Sequence, residues 1–283
     1  MSKISLPLKW HGGKQYLASR IVSLIPQHTH YVEPYFGGGA VLFNKPESFV
    51  RGHSEVVNDR NGDLMNFWRV LRNKQTFEEL RQQLSLTPFS SEEFAAAKQG
   101  LTATKSETKP KPIKSEDVAR AAAFFVMYRQ SRQGLGKDFA TMSRTRTRRD
   151  MNEQVSSWLS AIEGLQEACN RLQRVVLFCY DALKVIQRED DPKTFFYLDP
   201  PYMHGTRTSD SDYTHEMTDA DHSALLYQLG KVSGKFILSG YPSELYAEAA
   251  GRYGWHCDEI KIDSKASSQK VKPVKTECLW RNF

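Results

Sequence analysis

The sequence predicts an α/β fold, and three observations carry that expectation. Apolar runs of strand length alternate with amphipathic runs of helical length near both ends of the chain. Two of the strand-like runs stop at acidic turns, Asn58-Asp59 and Asp199-Pro200. The 283 residues, 40% hydrophobic and 25% charged, are enough to build a substantial core in one large or two modest domains.

Taken in order, Ile21 to Ile25 closes an amphipathic stretch read as a helix. His30 to Pro34 reads as a short strand ending in a turn, and Ala40 to Phe43 opens the next helix after Phe36-Gly37-Gly38-Gly39. Ser54 to Val57 is a second strand, and Asp63 to Arg72 a helix. Phe77 to Gly100 is helical, broken at Pro88, with Ser90 or Ser91 capping the second piece. Thr102 to Lys114, rich in Lys, Thr and Pro, is read as an exposed loop or a partly disordered segment. Val118 to Arg129 is an apolar helix, Gln130 to Asp150 a polar, arginine-rich stretch, and Asn152 to Leu172 helical again. Strand and helix then alternate once more: Val175 to Cys179, Thr194 to Leu198, helix Asp219 to Leu229, Lys235 to Ser239, helix Glu244 to Ala250, and a last strand Glu277 to Trp280. This order predicts one sheet domain, residues 1–72 and 173–283, interrupted by a mostly helical insertion, residues 73–172.

Composition narrows the function. No apolar run reaches eighteen residues, so no membrane-spanning helix is expected, and Met1 to Trp10 lacks the apolar core of a signal peptide. Four scattered cysteines with no C-x-x-C argue for reduced thiols in a cytoplasmic protein, and no metal-ligand set is read. The net charge of +6 permits a nucleic-acid partner without requiring one.

Asp199-Pro200-Pro201-Tyr202 is the strongest chemical signal. It follows Phe195-Phe196-Tyr197-Leu198, and the carboxyl end of such a strand faces the ligand crevice in open α/β sheets. Two prolines stiffen the turn and remove backbone donors, leaving the Pro200 carbonyl free to accept. With Asp199 as a second acceptor and Tyr202 as a flat face, the motif suits a planar ring bearing an exocyclic amine; a rigid capped turn is the plainer alternative. Glu33-Pro34-Tyr35-Phe36-Gly37-Gly38-Gly39 allows close backbone approach after a first strand, though the dinucleotide G-x-G-x-x-G spacing is absent. Asp59 stands where an acid binds ribose hydroxyls, or where it caps a turn. Lys9-Trp10-His11-Gly12-Gly13-Lys14 is no phosphate loop, because Gln15 follows the lysine and the spacing fails.

In this order and combination, these four motifs resemble the D12 class of DNA N6-adenine methyltransferases, with Lys275-Thr276-Glu277-Cys278-Leu279-Trp280 similar to the family's closing strand. His11 departs from the family, which often has alanine there. The resemblance implies a Rossmann-like S-adenosylmethionine-dependent methyltransferase sheet with a helical target-recognition insertion. It implies S-adenosylmethionine at Trp10, Lys14, Phe36, Gly37, Asp59, Asp181 and Asp199, with Asp181 near the cofactor's adenine or, equally, a helix cap before Ala182. It implies catalysis by Asp199, Pro200 and Tyr202 on an adenine flipped out of double-stranded DNA. Arg144, Arg146, Arg148 and Arg149 are expected to touch DNA, since four guanidiniums within six residues need anions and only Asp150 adjoins them; a solvated basic loop with no DNA role is the alternative. Transfer to cytosine N4, RNA adenine or protein glutamine, and an inactive DNA-binding relative, are the alternatives. A cognate restriction enzyme is compatible with the sequence but not determined by it.

Overall fold

The computed structural model describes residues 4–46, 52–103, 112–203, 216–263 and 274–283. The chain forms two compact units. One comprises residues 25–36, 52–60 and 180–283, and the other residues 1–24, 37–51 and 61–179.

The first of these is the sheet unit. Strand β1 (His30–Glu33) pairs in parallel with β2 (Ser54–Asn58) on one side and β6 (Thr194–Leu198) on the other. Strand β7 (Lys235–Gly240) pairs in parallel with β6, β9 (Val274–Arg281) runs antiparallel to β7, and β8 (His256–Asp263) closes this edge against β9. The order β2-β1-β6-β7-β9-β8 places the chain's later strands beyond β1, opposite to β2, so the order reverses between β1 and β6. Parallel strands covered on both faces need apolar residues throughout, and every residue of β6 is buried. Helices α9 (Ala182–Glu189), α10 (Asp219–Leu229) and α11 (Glu244–Tyr253) start at Asp181, Thr218 and Ser243, whose side chains accept from backbone N–H groups of the first turn. The expected strands and helices are present within a few residues. Strand β8 is the addition: its His-Cys-Asp-Glu-Ile-Lys-Ile-Asp sequence is largely polar, as suits a sheet edge, and gives little strand signal.

The other unit is mainly helical: α1 (Ala18–Leu24), α2 (Ala40–Asn44), α3 (Gly62–Arg72), α4 (Lys74–Leu86), α5 (Ser91–Ala103), α6 (Ser115–Arg129), α7 (Glu153–Glu163) and α8 (Leu165–Leu172). Asn61 and Asn73 cap α3 and α4, and Ser90 Oγ accepts from Glu92 and Glu93 N–H at the start of α5. Phe67 of α3 stacks on Phe125 of α6 at 5.9 Å. Arg120 of α6 forks onto Asp63 of α3 at 2.5 and 2.9 Å and donates to the Leu101 carbonyl of α5. Through α3 the segment expected as an insertion, 73–172, therefore shares a core with residues that precede it. Residues 104–111 of the expected Lys-rich loop, with Lys105, Lys109 and Lys111, lie outside the described residues.

The arginine-rich stretch contains a small hairpin of β3 (Thr147–Arg148) and β4 (Met151–Asn152). Its two turn residues, Arg149 and Asp150, both have positive φ, 56° and 58°, as a two-residue hairpin of this twist requires. Asn-Gly is the usual occupant, so the sequence carried no hairpin signal here. A last strand, β5 (Val176–Phe178), also belongs to this unit.

Candidate active site

In the sheet unit, β2, β1 and β6 end side by side and in the same direction at Asn58, Glu33 and Leu198. The reversal of strand order falls between β1 and β6, the place where open α/β sheets bind ligands. Asn58 ties this edge together. Its side-chain amide donates to the Pro34 carbonyl at 2.9 Å and the Tyr180 carbonyl at 3.1 Å, and accepts from Tyr180 N–H at 2.8 Å. Its own carbonyl accepts from Phe36 N–H at 2.9 Å. Within the Asn58-Asp59 pair, sequence reasoning assigned a role to the aspartate alone, whereas the buried asparagine at the strand end is the residue that ties the edge together. Asp59 is half-buried beyond the strand. Asp181 accepts from Leu183 N–H at 3.0 Å and caps α9, one of the two readings its sequence position allowed.

Asp199, half-buried, leaves β6, and Pro200 and Tyr202 are buried behind it. The Tyr202 hydroxyl donates to Glu277 Oε1 on β9, and its ring meets Tyr241 edge to face at 4.6 Å and 73°. Below them the Tyr197 and Ser239 hydroxyls bond at 3.0 Å. Burial pushes the Tyr202 phenol well above its ordinary range, and the charges of Asp199 and Glu277 push it further. Tyr246 is raised by burial and then by Asp199, and donates or accepts with His222 Nδ1 at 2.9 Å. Tyr35 is likewise raised by burial, reinforced by Tyr246, Asp181, Asp221 and Asp59. These phenols stay protonated around a carboxylate-rich edge, and that of Tyr202 donates to Glu277. Glu277 and Tyr241 were not predicted as site residues, because their link to Tyr202 spans strands distant in sequence.

In the helical unit, Trp10 packs on Tyr128 at 4.9 Å and Phe124 at 6.3 Å. Gly37 has φ of 49°, and a Cβ there would lie 2.7 Å from Trp10 Nε1; at Gly38 it would lie 2.7 Å from Trp10 Cβ. The close approach that the glycines were expected to allow is made here by the Trp10 side chain. The Trp68 indole fixes the loop by donating to the Gly37 carbonyl at 3.2 Å. Lys14 is buried, and its ammonium donates to the Gly12 carbonyl at 3.0 Å.

The arginines divide. Arg149 forks onto Glu163 at 3.0 and 3.1 Å and donates to Ser160 at 3.1 Å; Arg146 lies 3.7 Å from Glu153. Local sequence showed only Asp150 as a counter-charge, whereas α7 supplies two carboxylates. Arg144 and Arg148 are exposed, and among the described residues neither has a carboxylate partner.

No helix among the described residues is long and apolar enough to cross a membrane, and no group of three or more His, Cys, Asp or Glu residues there is arranged to hold a metal ion. A family model described as D12 class N6 adenine-specific DNA methyltransferase matches residues 10–262. A type II methyltransferase of Lactococcus lactis subsp. cremoris, M1.LlaDCHI, is 27% identical, over 97% of this chain and 94% of its own. M.MjaIII, a type II methyltransferase of Methanocaldococcus jannaschii, is 26% identical over 82% of each chain. The DNA N-6-adenine-methyltransferase of Escherichia phage P1 is 28% identical over 69% of this chain and 23% of its own.

Proposed function

Because the chain belongs to the D12 class of N6 adenine-specific DNA methyltransferases, we propose that it takes its methyl group from S-adenosylmethionine and delivers it to a flipped adenine at a defined site in duplex DNA. The observation that carries this reading is Asp199-Pro200-Pro201-Tyr202 at the carboxyl end of β6, beside β1, where the strand order reverses.

The residues suit that cofactor. Asp59 and Asp199 put acceptors just beyond β2 and β6, the two strands that flank β1, as ribose hydroxyls and amines require, and Asp181 adds a carboxylate to the same unit. Phe36 follows β1, and Trp10, Lys14 and Gly37 complete the assignment from the resemblance. When bound, S-adenosylmethionine supplies an electrophilic methyl carbon on a sulfonium that departs neutral.

The chain's own residues act on the base. Adenine N6 is a weak nucleophile because its lone pair is delocalised into the ring. Accepted N6–H bonds to the Asp199 carboxylate and the Pro200 carbonyl favour a pyramidal nitrogen and free that lone pair. The same oxygens stabilise the positive charge that N6 develops. Tyr202 offers its ring for stacking on the extruded base. Arg148, exposed in the hairpin strand β3, and Arg144, exposed before it, are assigned to phosphate or base contacts; Arg149, held by Glu163, supports them by fixing the turn, with Arg146 beside Glu153. Segment 73–172 is assigned to target recognition. Free thiols at Cys169, Cys179, Cys257 and Cys278 support a reducing, cytoplasmic setting, and two relatives named type II methyltransferases support a restriction partner.

The test supplies purified protein with methyl-labelled S-adenosylmethionine, unmethylated genomic DNA, RNA and a protein extract, separates the three polymers, and analyses the nucleosides of the nucleic acids. N6-methyladenine is expected, and Asp199→Ala should lower its formation by several orders of magnitude in a folded protein. Label in cytosine, RNA or protein, or transfer by Asp199→Ala within about tenfold of wild type, overturns the assignment.

A further inference from the structure

Glu277 occupies a place that calls for explanation. It is fully buried on β9, between β7 and β8, where Cys278, Leu279 and Trp280 are all buried too. A carboxylate taken out of water is strongly disfavoured unless good donors meet it. Leu279, two residues on, shares its face, and an aliphatic residue at 277 would serve such a core without that cost. The Tyr202 hydroxyl meets Glu277 Oε1. Among its contacts, Tyr202 is held by Glu277 at its hydroxyl and by Tyr241 at its ring.

The two restraints do different things. A phenol oxygen lies on the Cβ–Cζ axis of its ring. A hydrogen bond there fixes the direction of the axis and resists rotation about it only weakly, through the preference of the O–H for the ring plane. An edge-to-face contact resists that rotation, because turning the ring would break the 73° arrangement with Tyr241. Together they define the plane of the ring, and neither does so alone.

We propose that Glu277 is a positioning residue that sets the Tyr202 ring axis for stacking on the target adenine, while Tyr241 sets the ring's rotation. The inference rests on the reading that Tyr202 stacks on an extruded base. Burial and the two nearby charges keep the Tyr202 proton on its oxygen, so the hydroxyl remains a donor to the carboxylate. On stacking alone Tyr202→Phe is a mild change; through Glu277 it also releases the axis.

The experiment uses the full chain as wild type, Glu277→Ala, Glu277→Gln, Tyr241→Leu, Tyr202→Phe and Tyr202→Phe/Glu277→Ala. Wild type first methylates unmethylated genomic DNA, and its sites are mapped by single-molecule sequencing. A duplex containing one such site, with 2-aminopurine for the target adenine, then reports stacking by fluorescence, and the unmodified duplex gives kcat and KM. Glu277→Ala should lower kcat about tenfold or more, as displaced reacting geometry does, with KM for S-adenosylmethionine within about twofold. Its 2-aminopurine emission should rise, because a wandering ring quenches less. Glu277→Gln keeps an acceptor for the hydroxyl and should recover most of both signals. Tyr241→Leu should raise emission as well. In the Tyr202→Phe background, Glu277→Ala should change kcat little, since the bond is already gone. Wild-type kcat and emission in Glu277→Ala overturn the proposal, as does an equal kcat loss in both backgrounds. Should Glu277→Ala fail to fold, wild-type emission in Tyr241→Leu together with a Glu277→Gln no better than inactive overturns it. A wild type that leaves adenine unmodified overturns the parent reading, and this one with it; an active wild type with indifferent Glu277 variants overturns this one alone.

Discussion

Gly38→Ala tests how the glycine loop and Trp10 fit together. Gly38 has no positive φ, so alanine meets no backbone strain there. The obstacle is space: a Cβ would sit 2.7 Å from Trp10 Cβ and 3.2 Å from Trp10 Cγ. Those atoms adjoin the backbone and cannot swing aside as a side-chain tip does. The indole beyond them is packed against Tyr128 and Phe124, and Gly13 N–H holds the Trp10 carbonyl at 3.2 Å. Relief therefore requires movement of the Trp10 backbone. Overpacking of this kind costs about 1–3 kcal/mol, which for a protein of this size lowers the melting temperature by roughly 2–5 °C. Gly251→Ala is the matched control. It lies exposed in α11 with nothing within 4 Å of its added Cβ, and should stabilise by about 0.5–1 kcal/mol through helix propensity alone. Thermal unfolding of both variants, followed by circular dichroism, compares them directly. If Trp10 and Gly37 serve the cofactor, Gly38→Ala should also raise KM for S-adenosylmethionine, while Gly251→Ala leaves it unchanged. A Gly38→Ala variant melting within a degree of wild type, with the same KM, would refute the steric argument.

The hairpin separates anchoring from phosphate contact. Arg148→Ala should reduce the slope of log DNA affinity against log salt by about 0.9 if it meets one phosphate. Glu163→Ala should weaken DNA binding despite removing a negative charge, because it releases Arg149; stronger binding by that variant would show that Arg149 serves DNA directly. Burial, reinforced by Cys257, pushes the Cys278 thiol up to about 12. The unfolded chain ionises this thiol first, so its contribution to stability is present below the ordinary thiol range and declines as pH rises toward 12. Iodoacetamide at pH 8 should accordingly label exposed Cys257 before buried Cys278, as read by peptide mass spectrometry; equal rates would contradict this.

Much of this protein was legible before folding, where the physics is local. The apolar run Phe195 to Leu198 marks a strand because a strand covered on both faces must be apolar along its length. Prolines stiffen the turn after Asp199 whatever surrounds them, and Ser90 caps α5 by reaching two and three residues ahead. The ordered motifs from Trp10 to Tyr202 were sufficient to indicate the family. What tertiary structure alone decided depends on residues far apart in the chain. Arg149 finds Glu163 on α7, and its left-handed turn forms without the Asn-Gly pair that would have announced it. Polar β8 is a strand because β9 supplies hydrogen bonds along its length. Glu277 reads as an ordinary strand residue until β9 is set beside β7 and its carboxylate is brought to Tyr202, 75 residues away in sequence. A sequence records which groups are present; hydrogen bonds and close packing require distances of a few ångströms, and only the folded chain sets those.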